Sequence, residues 1–250
     1  MSGSSEKPLE TLKETAKSKT SSPRIQWHRT VLFWVLLLAA ILGFSTLTIL
    51  VETTPSFPID IQITQAIQSI DAPVFAWFMR LISWAGFLPQ SVLLTLLIGF
   101  TLYMFGFRWE SITALLTSLI SGVTNETVKY LIQRPRPAAD LVDVFEVLTS
   151  YSFPSGHVMF YTSLFGFIWY VAYRMLKQSL TRSLVLGIFG TLVTLIGVSR
   201  IYLGQHWASD VLGAYLLGGL ILTGMILLHQ WGKTRFFVKQ TTGVHDSKKG

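Results

Sequence analysis

The chain has 250 residues, of which 50% are hydrophobic and only 13% are charged. Soluble domains average about 25% charged residues, so this composition argues against an ordinary soluble domain. The absence of cysteine excludes disulfides, thiolate metal sites and cysteine nucleophiles, and five histidines leave little material for a multi-histidine metal site. The net charge of +7 does not indicate a nucleic-acid surface, because the basic residues are spread between long apolar runs.

Six apolar stretches have a length suited to crossing a bilayer, whose hydrocarbon core of about 30 Å takes roughly 20 helical residues. We therefore predict an all-α, polytopic membrane protein with one transmembrane domain over residues 30–231. Its six predicted transmembrane helices are Thr30–Val51, Leu88–Phe107, Ile112–Ile132, His157–Met175, Ser183–Val198 and Trp207–Trp231.

Polar tails flank this domain. Residues 1–29 are rich in Ser, Thr and Lys, which predicts a disordered segment, and residues 232–250 form a second basic tail. The first span is predicted to be a retained signal anchor, since its apolar run exceeds that of a signal peptide and no small-x-small cleavage site follows it.

The distribution of Lys and Arg predicts the orientation. Cytoplasmic segments of membrane proteins carry an excess of basic residues. With six spans, all but five basic residues fall in the two tails or in the links that share their side, so both termini are predicted to be cytoplasmic in a cell membrane. The exceptions are Arg80, Lys129, Arg134, Arg136 and Arg200.

The segment between the first two spans is predicted to lie along the outer interface. In Ile61–Ile70, three isoleucines share one helical face, and Ala72–Phe87 is apolar but carries Arg80 in its middle. A crossing by Ala72–Phe87 would reverse every later link, so we predict two short amphipathic interfacial helices here.

Polar residues within apolar surroundings form three clusters. The first cluster lies at the end of span three and the second at the start of span four, so the two share one membrane face. Two spans separate this pair from the third cluster, and helix counting therefore brings all three clusters to the same face. The clusters are Lys129 with Arg136-Pro137, then Pro154-Ser155-Gly156-His157, and finally Ser199-Arg200 with His206 and Asp210.

The residue types in these clusters suit a phosphate group. Arginine offers forked donors that match phosphate oxygens, and glycine lets a ligand approach the backbone. His206 and Asp210 are four residues apart and so share a helical face, where the carboxylate can orient the imidazole. His157 is then available as a proton donor.

These three motifs resemble the signature of the type 2 phosphatidic acid phosphatase superfamily, which includes membrane lipid phosphatases, glucose-6-phosphatase and vanadium haloperoxidases. The matching patterns are Lys-x6-Arg-Pro at Lys129–Pro137, Pro-Ser-Gly-His at Pro154–His157 and Ser-Arg-x5-His-x3-Asp at Ser199–Asp210.

The resemblance implies a role for each motif residue. His206 would be a nucleophile that forms a phosphohistidine, Asp210 its orienting partner and His157 the general acid. The phosphate-binding residues would be Lys129, Arg136, Ser155, Gly156 and Arg200. By the same resemblance the enzyme needs neither a cofactor nor a metal.

The resulting hypothesis is an integral-membrane phosphatase that hydrolyses a lipid phosphate or pyrophosphate at the outer membrane face. Undecaprenyl pyrophosphate is favoured, with phosphatidylglycerol phosphate, phosphatidic acid and diacylglycerol pyrophosphate as further candidates. The alternatives are a lipid phosphotransferase that uses the same phosphohistidine and, in another class, an anionic lipid transporter.

Several points stay open in the sequence. The motif spacing selects Arg136, and Arg134 is taken as a rim charge. Glu126, an acid one turn before Lys129, has either Lys129 or Arg80 as its partner. The oligomeric state is not determined.

Overall fold

A computed structural model describes residues 23–237, and within this range the backbone is helical and contains no strand. The predicted all-α class is thereby confirmed. The parts of the predicted tails at residues 1–22 and 238–250 lie outside the described residues. The helices, numbered in chain order, are α1 (Pro23–Thr53), α2 (Pro58–Gln68), α3 (Pro73–Trp84), α4 (Leu88–Met104), α5 (Arg108–Ile132), α6 (Gly156–Phe160), α7 (Gly166–Met175), α8 (Leu180–Tyr202) and α9 (Ala208–Gly232).

Two π-helical turns interrupt this pattern. Tyr161–Phe165 joins α6 to α7, and Lys233–Phe237 follows α9. Among the described residues, 23–40 and 41–237 belong to two separate units. The predicted functional residues all belong to the second unit.

Between residues 23 and 237, three helical stretches are long and apolar enough to cross a membrane, namely Trp27–Thr53, Leu180–Tyr202 and Ala208–Phe236. The pair α3 and α4 passes the same criterion together, although the two are bent by 58° at the break between them, and it gives a fourth candidate when counted as one span. The count of six spans therefore stays a prediction.

Helix α5 shows why length and hydropathy give a lower count. It has 25 residues, but its buried face carries polar side chains, which reduce its apolar character. The predicted fourth span is divided by a π turn into shorter helices. The buried polar side chains of α5 are Glu110, Ser111, Thr113, Thr117, Ser121, Asn125 and Lys129.

Helices α2 and α3 occupy the region predicted to hold two interfacial helices, although their place at an interface stays a prediction. Each begins with proline, which suits the first turn because that position has no intrahelical partner for an N–H. Both helices pack against α8, and α2 also packs against α9. They thereby bring Asp60 and Ser83, both buried, close to the ends of the later helices.

The segment from α6 through the π turn to α7 lies at the centre of the helical core. Its side chains Val158, Met159, Tyr161, Leu164 and Phe167 are buried, and it packs against α5, α8 and α9. The first residues of α6, which carry the second motif, are therefore held by packing on several sides.

Helix α9 approaches this central segment closely at Gly218. A Cβ added there would lie 3.1 Å from Cβ of Thr162 and 3.4 Å from Cα of Met159. The neighbouring Gly219 has no such atom within 4 Å.

We expect Gly218→Val to destabilise the protein by about 1–3 kcal/mol, because added methyl groups overpack a close helix contact. Gly219→Val is the matched control, since it introduces the same side chain into open space. Thermal unfolding of the purified protein in detergent measures both. Equal loss of stability in the two variants would contradict this packing.

Candidate active site

The three sequence motifs meet at one cavity of about 640 Å³. It is formed by residues from α4, α5, α6, α8 and the segments that follow α5 and α8. Six of the eight predicted site residues line it: Lys129, Arg136, Gly156, His157, Arg200 and His206. The other two, Ser155 and Asp210, are fully buried beside it, and the Ser155 N–H donates to the Asp210 carbonyl at 3.3 Å.

Arg200 presents free donors in this region. The side chain is fully buried, and its Nη1 donates to Ser83 Oγ at 3.0 Å. Within residues 23–237, its Nε and Nη2 have no hydrogen-bond partner, and neither do His157 Nε2 and Ser155 Oγ. Buried polar atoms are rarely left without a partner, so a group of them beside a cationic cavity indicates a ligand site. The chemistry of these donors suits an oxyanion.

Arg136 is held differently. Its Nε donates to the Ser150 carbonyl and its Nη1 to the Gln205 carbonyl, both at 2.6 Å, and Nη2 donates to Ser150 Oγ at 2.9 Å. Its Nη1 also lies 3.3 Å from His206 Nε2. Arg136 therefore ties the segment after α5 to the turn that carries His206, and its predicted role as a phosphate ligand stays a prediction.

His206 is buried in the turn between α8 and α9. Its Nδ1 lies 3.6 Å from Asp210 Oδ2 and 3.5 Å from Ser152 Oγ. Burial holds the pKa of His206 well below its ordinary value, and the charges of Arg136, Arg200 and Lys129 lower it further. The imidazole is therefore neutral near pH 7, as a nitrogen nucleophile requires.

The backbone of this turn requires glycine at position 204. Gly204 has a φ of 64°, in the left-handed region, and a Cβ there would overlap the Asp143 carbonyl. The segment after α5 contacts the turn at two further places. The Phe145 N–H donates to the Leu203 carbonyl at 3.2 Å, and Gln205 Nε2 donates to Glu146 Oε2 at 3.2 Å.

His157 lies against the turn between α3 and α4. Its ring makes an edge contact with Phe87, with centroids 4.8 Å apart, and a Cβ on Gly86 would lie 2.3 Å from His157 Cδ2. Gly86 and Phe87 thus confine the imidazole. Sequence reasoning missed both, because no motif marks a turn 70 residues away from the histidine.

Lys129 is buried at the end of α5, with its Nζ 3.6 Å from Glu126 Oε1. Of the two partners that the sequence left open for Glu126, the structure gives Lys129. The Glu126 side chain is 72% exposed, so this ion pair is a weak one.

Asn125 is a further site residue, and its position one turn before Lys129 is the sequence feature that marks it. Its Nδ2 donates to the Pro154 carbonyl at 3.0 Å. A Cβ on Gly156 would lie 2.9 Å from Asn125 Oδ1. Asn125 thus holds the second motif against α5, and Gly156 is required for the close approach.

The interpretation of Arg134 as a rim charge is wrong. The side chain is 1% exposed, and its guanidinium forms ion pairs with Asp210 at 2.6 Å and Asp60 at 2.9 Å. Helix α5 ends at Ile132, the left-handed φ of 52° at Gln133 redirects the chain, and Arg134 then enters the interior. Its partner Asp60 lies 74 residues earlier in the chain, so no local pattern predicted the pair.

The cavity continues from the cationic end into an apolar groove between α4 and α5. Leucine, valine and phenylalanine side chains form most of its walls there. A molecule that fills the whole cavity would carry an anionic head and an apolar tail. The apolar lining residues of this groove are Phe87, Leu88, Val92, Leu96, Leu115, Leu119 and Val123.

Comparison with known proteins agrees with this geometry. Residues 110–234, half of the chain and all three motifs, match the sequence model of the PAP2 superfamily. The chain belongs to the PAP2 superfamily. The family predicted from the three motifs is therefore confirmed.

Two curated relatives of this PAP2 protein are phosphatases by name. It is 35% identical over 130 residues to phosphatidylglycerophosphatase B of Bacillus subtilis (strain 168), which covers 51% of this chain and 62% of the relative. It is 32% identical over 118 residues to an undecaprenyl-diphosphatase of Sulfolobus acidocaldarius, covering 46% and 52%. The matched stretches thus span between half and two thirds of the relatives' lengths.

Two crystal structures resemble it. The transmembrane PAP2 type phosphatidylglycerolphosphate phosphatase from Bacillus subtilis has a TM-score of 0.70 and 27% identity, covering 80% of this chain and 98% of that one. Aquifex aeolicus LpxE has a TM-score of 0.50 and 23% identity over 70% of this chain and 98% of its own, which supports the fold alone.

We expect Gly156→Ala to weaken the binding of inorganic phosphate, because the added methyl group would press on Asn125 and displace the motif beside it. Gly122→Ala is the control, since Gly122 also lines the cavity but a Cβ there meets open space. The measurement is the rise in unfolding temperature with increasing phosphate. An equal rise in both variants and the wild type would contradict this view of Gly156.

Proposed function

We propose that this PAP2 protein is an integral-membrane phosphatase that hydrolyses a lipid phosphate or pyrophosphate through a phosphohistidine intermediate. The observation that carries the proposal is the cavity itself. Two imidazoles and three cationic side chains surround one end, and an apolar groove between two helices extends from it. A lipid phosphate has the matching distribution of charge and apolar surface.

The first chemical step is attack by His206 Nε2 on phosphorus. A nitrogen–phosphorus bond forms as the bond from phosphorus to the leaving oxygen breaks, and the leaving oxygen takes a proton from His157. Lys129 and Arg200 stabilise the negative charge on the other phosphate oxygens. Arg200 Nε and Nη2 and His157 Nε2 have no hydrogen-bond partner among the residues that the structure describes, which supports these assignments because the atoms remain available to a bound phosphate.

The second step transfers the phosphoryl group to water. His157, now neutral, takes a proton from a water molecule, whose oxygen forms a bond to phosphorus as the bond to His206 breaks. Inorganic phosphate leaves and both histidines return to their starting states. One histidine must start neutral and the other protonated, so the rate should depend on pH in a bell shape.

The setting of the reaction is also part of the proposal. The positive-inside distribution supports cytoplasmic termini and a cavity that opens at the outer face of a cell membrane. The names of the two relatives support phosphatidylglycerol phosphate and an undecaprenyl diphosphate as substrate candidates. We retain undecaprenyl pyrophosphate, in cell-envelope lipid recycling, as the favoured substrate.

We expect His206→Ala to abolish phosphate release from every substrate in a panel of polyprenyl and glycerolipid phosphates, because no nucleophile remains. Released phosphate from purified protein, with a chelator present, is the measurement. The control is His28→Ala, since His28 is exposed on α1 and does not line the cavity. Full turnover by the His206→Ala protein would overturn the proposed function.

We expect His157→Ala to slow hydrolysis of a phosphate monoester by about 10²–10⁴-fold, the usual contribution of general acid catalysis. The loss should be smaller with a lipid pyrophosphate, whose leaving phosphate needs less protonation than an alkoxide. Paired kcat/KM values on the two substrates test this, because kcat/KM reports the steps up to departure of the leaving group and excludes the shared hydrolysis of the phosphohistidine. The same loss on both would argue against His157 as the proton donor.

A further inference from the structure

A second group of charged residues lies behind His206, outside the cavity. We call it the Arg134 cluster, and it consists of Asp60, Arg134, Ser152, Ser209 and Asp210. The five residues come from α2, the segment after α5 and the start of α9, and none is more than 9% exposed. Except for Asp210, none is a defining residue of the three motifs, since Arg134 and Ser209 fall at positions where a motif allows any residue. Asp60 lies outside the part of the chain that matches the family.

Arg134 is held in one orientation by contacts on every side. Its Nη1 donates to Asp210 Oδ1 at 2.6 Å, its Nη2 to Asp60 Oδ2 at 2.9 Å and its Nε to the Pro55 carbonyl at 2.9 Å. Its guanidinium carbon lies 5.3 Å from the centroid of the Phe57 ring. A guanidinium fixed in this way bridges two carboxylates that come from distant parts of the chain.

These contacts determine which way the Asp210 carboxylate faces. Its Oδ1 is occupied by Arg134, while its Oδ2 accepts from Ser152 Oγ at 2.5 Å and from the Trp207 N–H at 2.8 Å. The same Oδ2 lies 3.6 Å from His206 Nδ1. The side chain therefore cannot rotate its two oxygens without breaking the bond to Arg134.

Asp60 fixes Arg134 from the other side. Its Oδ1 accepts from the Ser209 N–H at 2.9 Å and its Oδ2 from Ser209 Oγ at 2.6 Å. Because Ser209 begins α9 next to Asp210, the same helix end anchors both carboxylates. Arg134 lies between them.

The charge of the cluster is not balanced within itself. Two carboxylates and one guanidinium leave one negative charge among residues that are shielded from water, where an uncompensated charge is costly. His206 is the neighbouring group that gains positive charge when its Nε2 attacks phosphorus. The cluster is therefore better compensated in the phosphorylated state than in the free enzyme.

We propose that Asp60 and Arg134 are positioning residues for phosphoryl transfer, acting on His206 through Asp210. They hold Asp210 Oδ2 toward His206 Nδ1 and leave one negative charge that stabilises the imidazolium of the phosphohistidine. The inference rests on the proposed function, since it assigns the cluster to the same reaction.

The test measures kcat and KM of the Asp60→Asn variant over a series of pH values, with a short-chain, water-soluble lipid phosphate as the substrate. The variant keeps the shape of the side chain and removes its charge. We expect kcat to fall by about 10- to 100-fold with KM within about twofold of wild type, because no cavity-lining residue changes. Asp140→Asn is the control, since it removes the same charge from an exposed side chain.

The pH profile distinguishes the proposed role of Asp60 from a purely structural one, because a purely structural role would not shift it. The acid limb of kcat/KM follows the pKa of His206 in the free enzyme. His206 faces Lys129 on α5, Arg136 on the following segment, His157 on α6, Arg200 on α8 and Asp210 on α9. Loss of the negative charge of Asp60 leaves the effect of those cations on His206 less offset, so the pKa of His206 should fall and the acid limb should move to lower pH. Asp60→Glu keeps the charge and should leave the limb in place while kcat still falls.

Several results would overturn the inference. One such result is an Asp60→Asn variant with the wild-type kcat and an acid limb at the wild-type pH. Another is a loss of activity in that variant that is fully accounted for by a loss of folded protein. If Asp60→Asn does not fold, Asp60→Glu carries the test, and a wild-type kcat in that variant counts against the inference. His206→Ala in the same assay separates the two proposals. Turnover without His206 refutes the phosphohistidine, whereas an inactive His206→Ala beside a normal Asp60→Asn refutes only the role of the cluster.

Discussion

The site depends on a group of cationic side chains at one end of the cavity, whose positive charge is largely not neutralised by nearby carboxylates. Lys129, Arg136 and Arg200 all line one cavity, and among the cavity-lining residues that the structure describes, Glu126 is the one carboxylate. Like charges at close range in a poorly solvated site repel each other. The fold holds them there through the packing of α5, α8 and the central segment, and a phosphate group would relieve the repulsion. Burial holds the pKa of His206 well below its ordinary value, and this excess of cations lowers that pKa further.

The two sides of His206 differ in whether the neighbouring polar groups already have hydrogen-bond partners. On the cavity side, Arg200 and His157 have buried polar atoms with no partner in the described part of the chain, so their hydrogen-bonding capacity remains for a ligand. On the other side, Arg134 has protein acceptors at each of its three nitrogens. A saturated arginine orients its neighbours, whereas an unsaturated one can bind substrate. Arg136 is intermediate, because it holds two loops together and also contacts His206.

The sequence predicted the helical class and the family, because long apolar runs and three spaced motifs are local properties of the chain. Six of the eight predicted site residues line the cavity, and the other two are buried beside it. The sequence did not predict the role of Arg134, which lies only two residues before Arg136. The direction of the Arg134 side chain depends on the left-handed backbone at Gln133 and on the ion pair with Asp60, which is distant in the chain. Gly86 and Phe87 were missed for a related reason, since their contact with His157 depends on how α3 and α4 bend. The number of spans was the hardest feature to predict. Helix α5 carries buried polar side chains beside the site, and these lower the mean hydropathy by which a membrane-spanning helix is recognised.

Direct detection of the phosphorylated residue tests the central claim, which is that all these groups converge on phosphoryl transfer to one imidazole. The protein would be mixed with lipid phosphate carrying a labelled phosphorus and quenched in alkali, where a phosphohistidine persists, and the labelled residue would be located by peptide mapping. Label on His206, lost on acidification, is the expected result. With a lipid pyrophosphate as the phosphoryl donor, replacing His157 by alanine should slow hydrolysis of the intermediate more than its formation, so the labelled fraction should rise. Label on any other residue, or turnover with no label retained in either protein, would contradict the central claim.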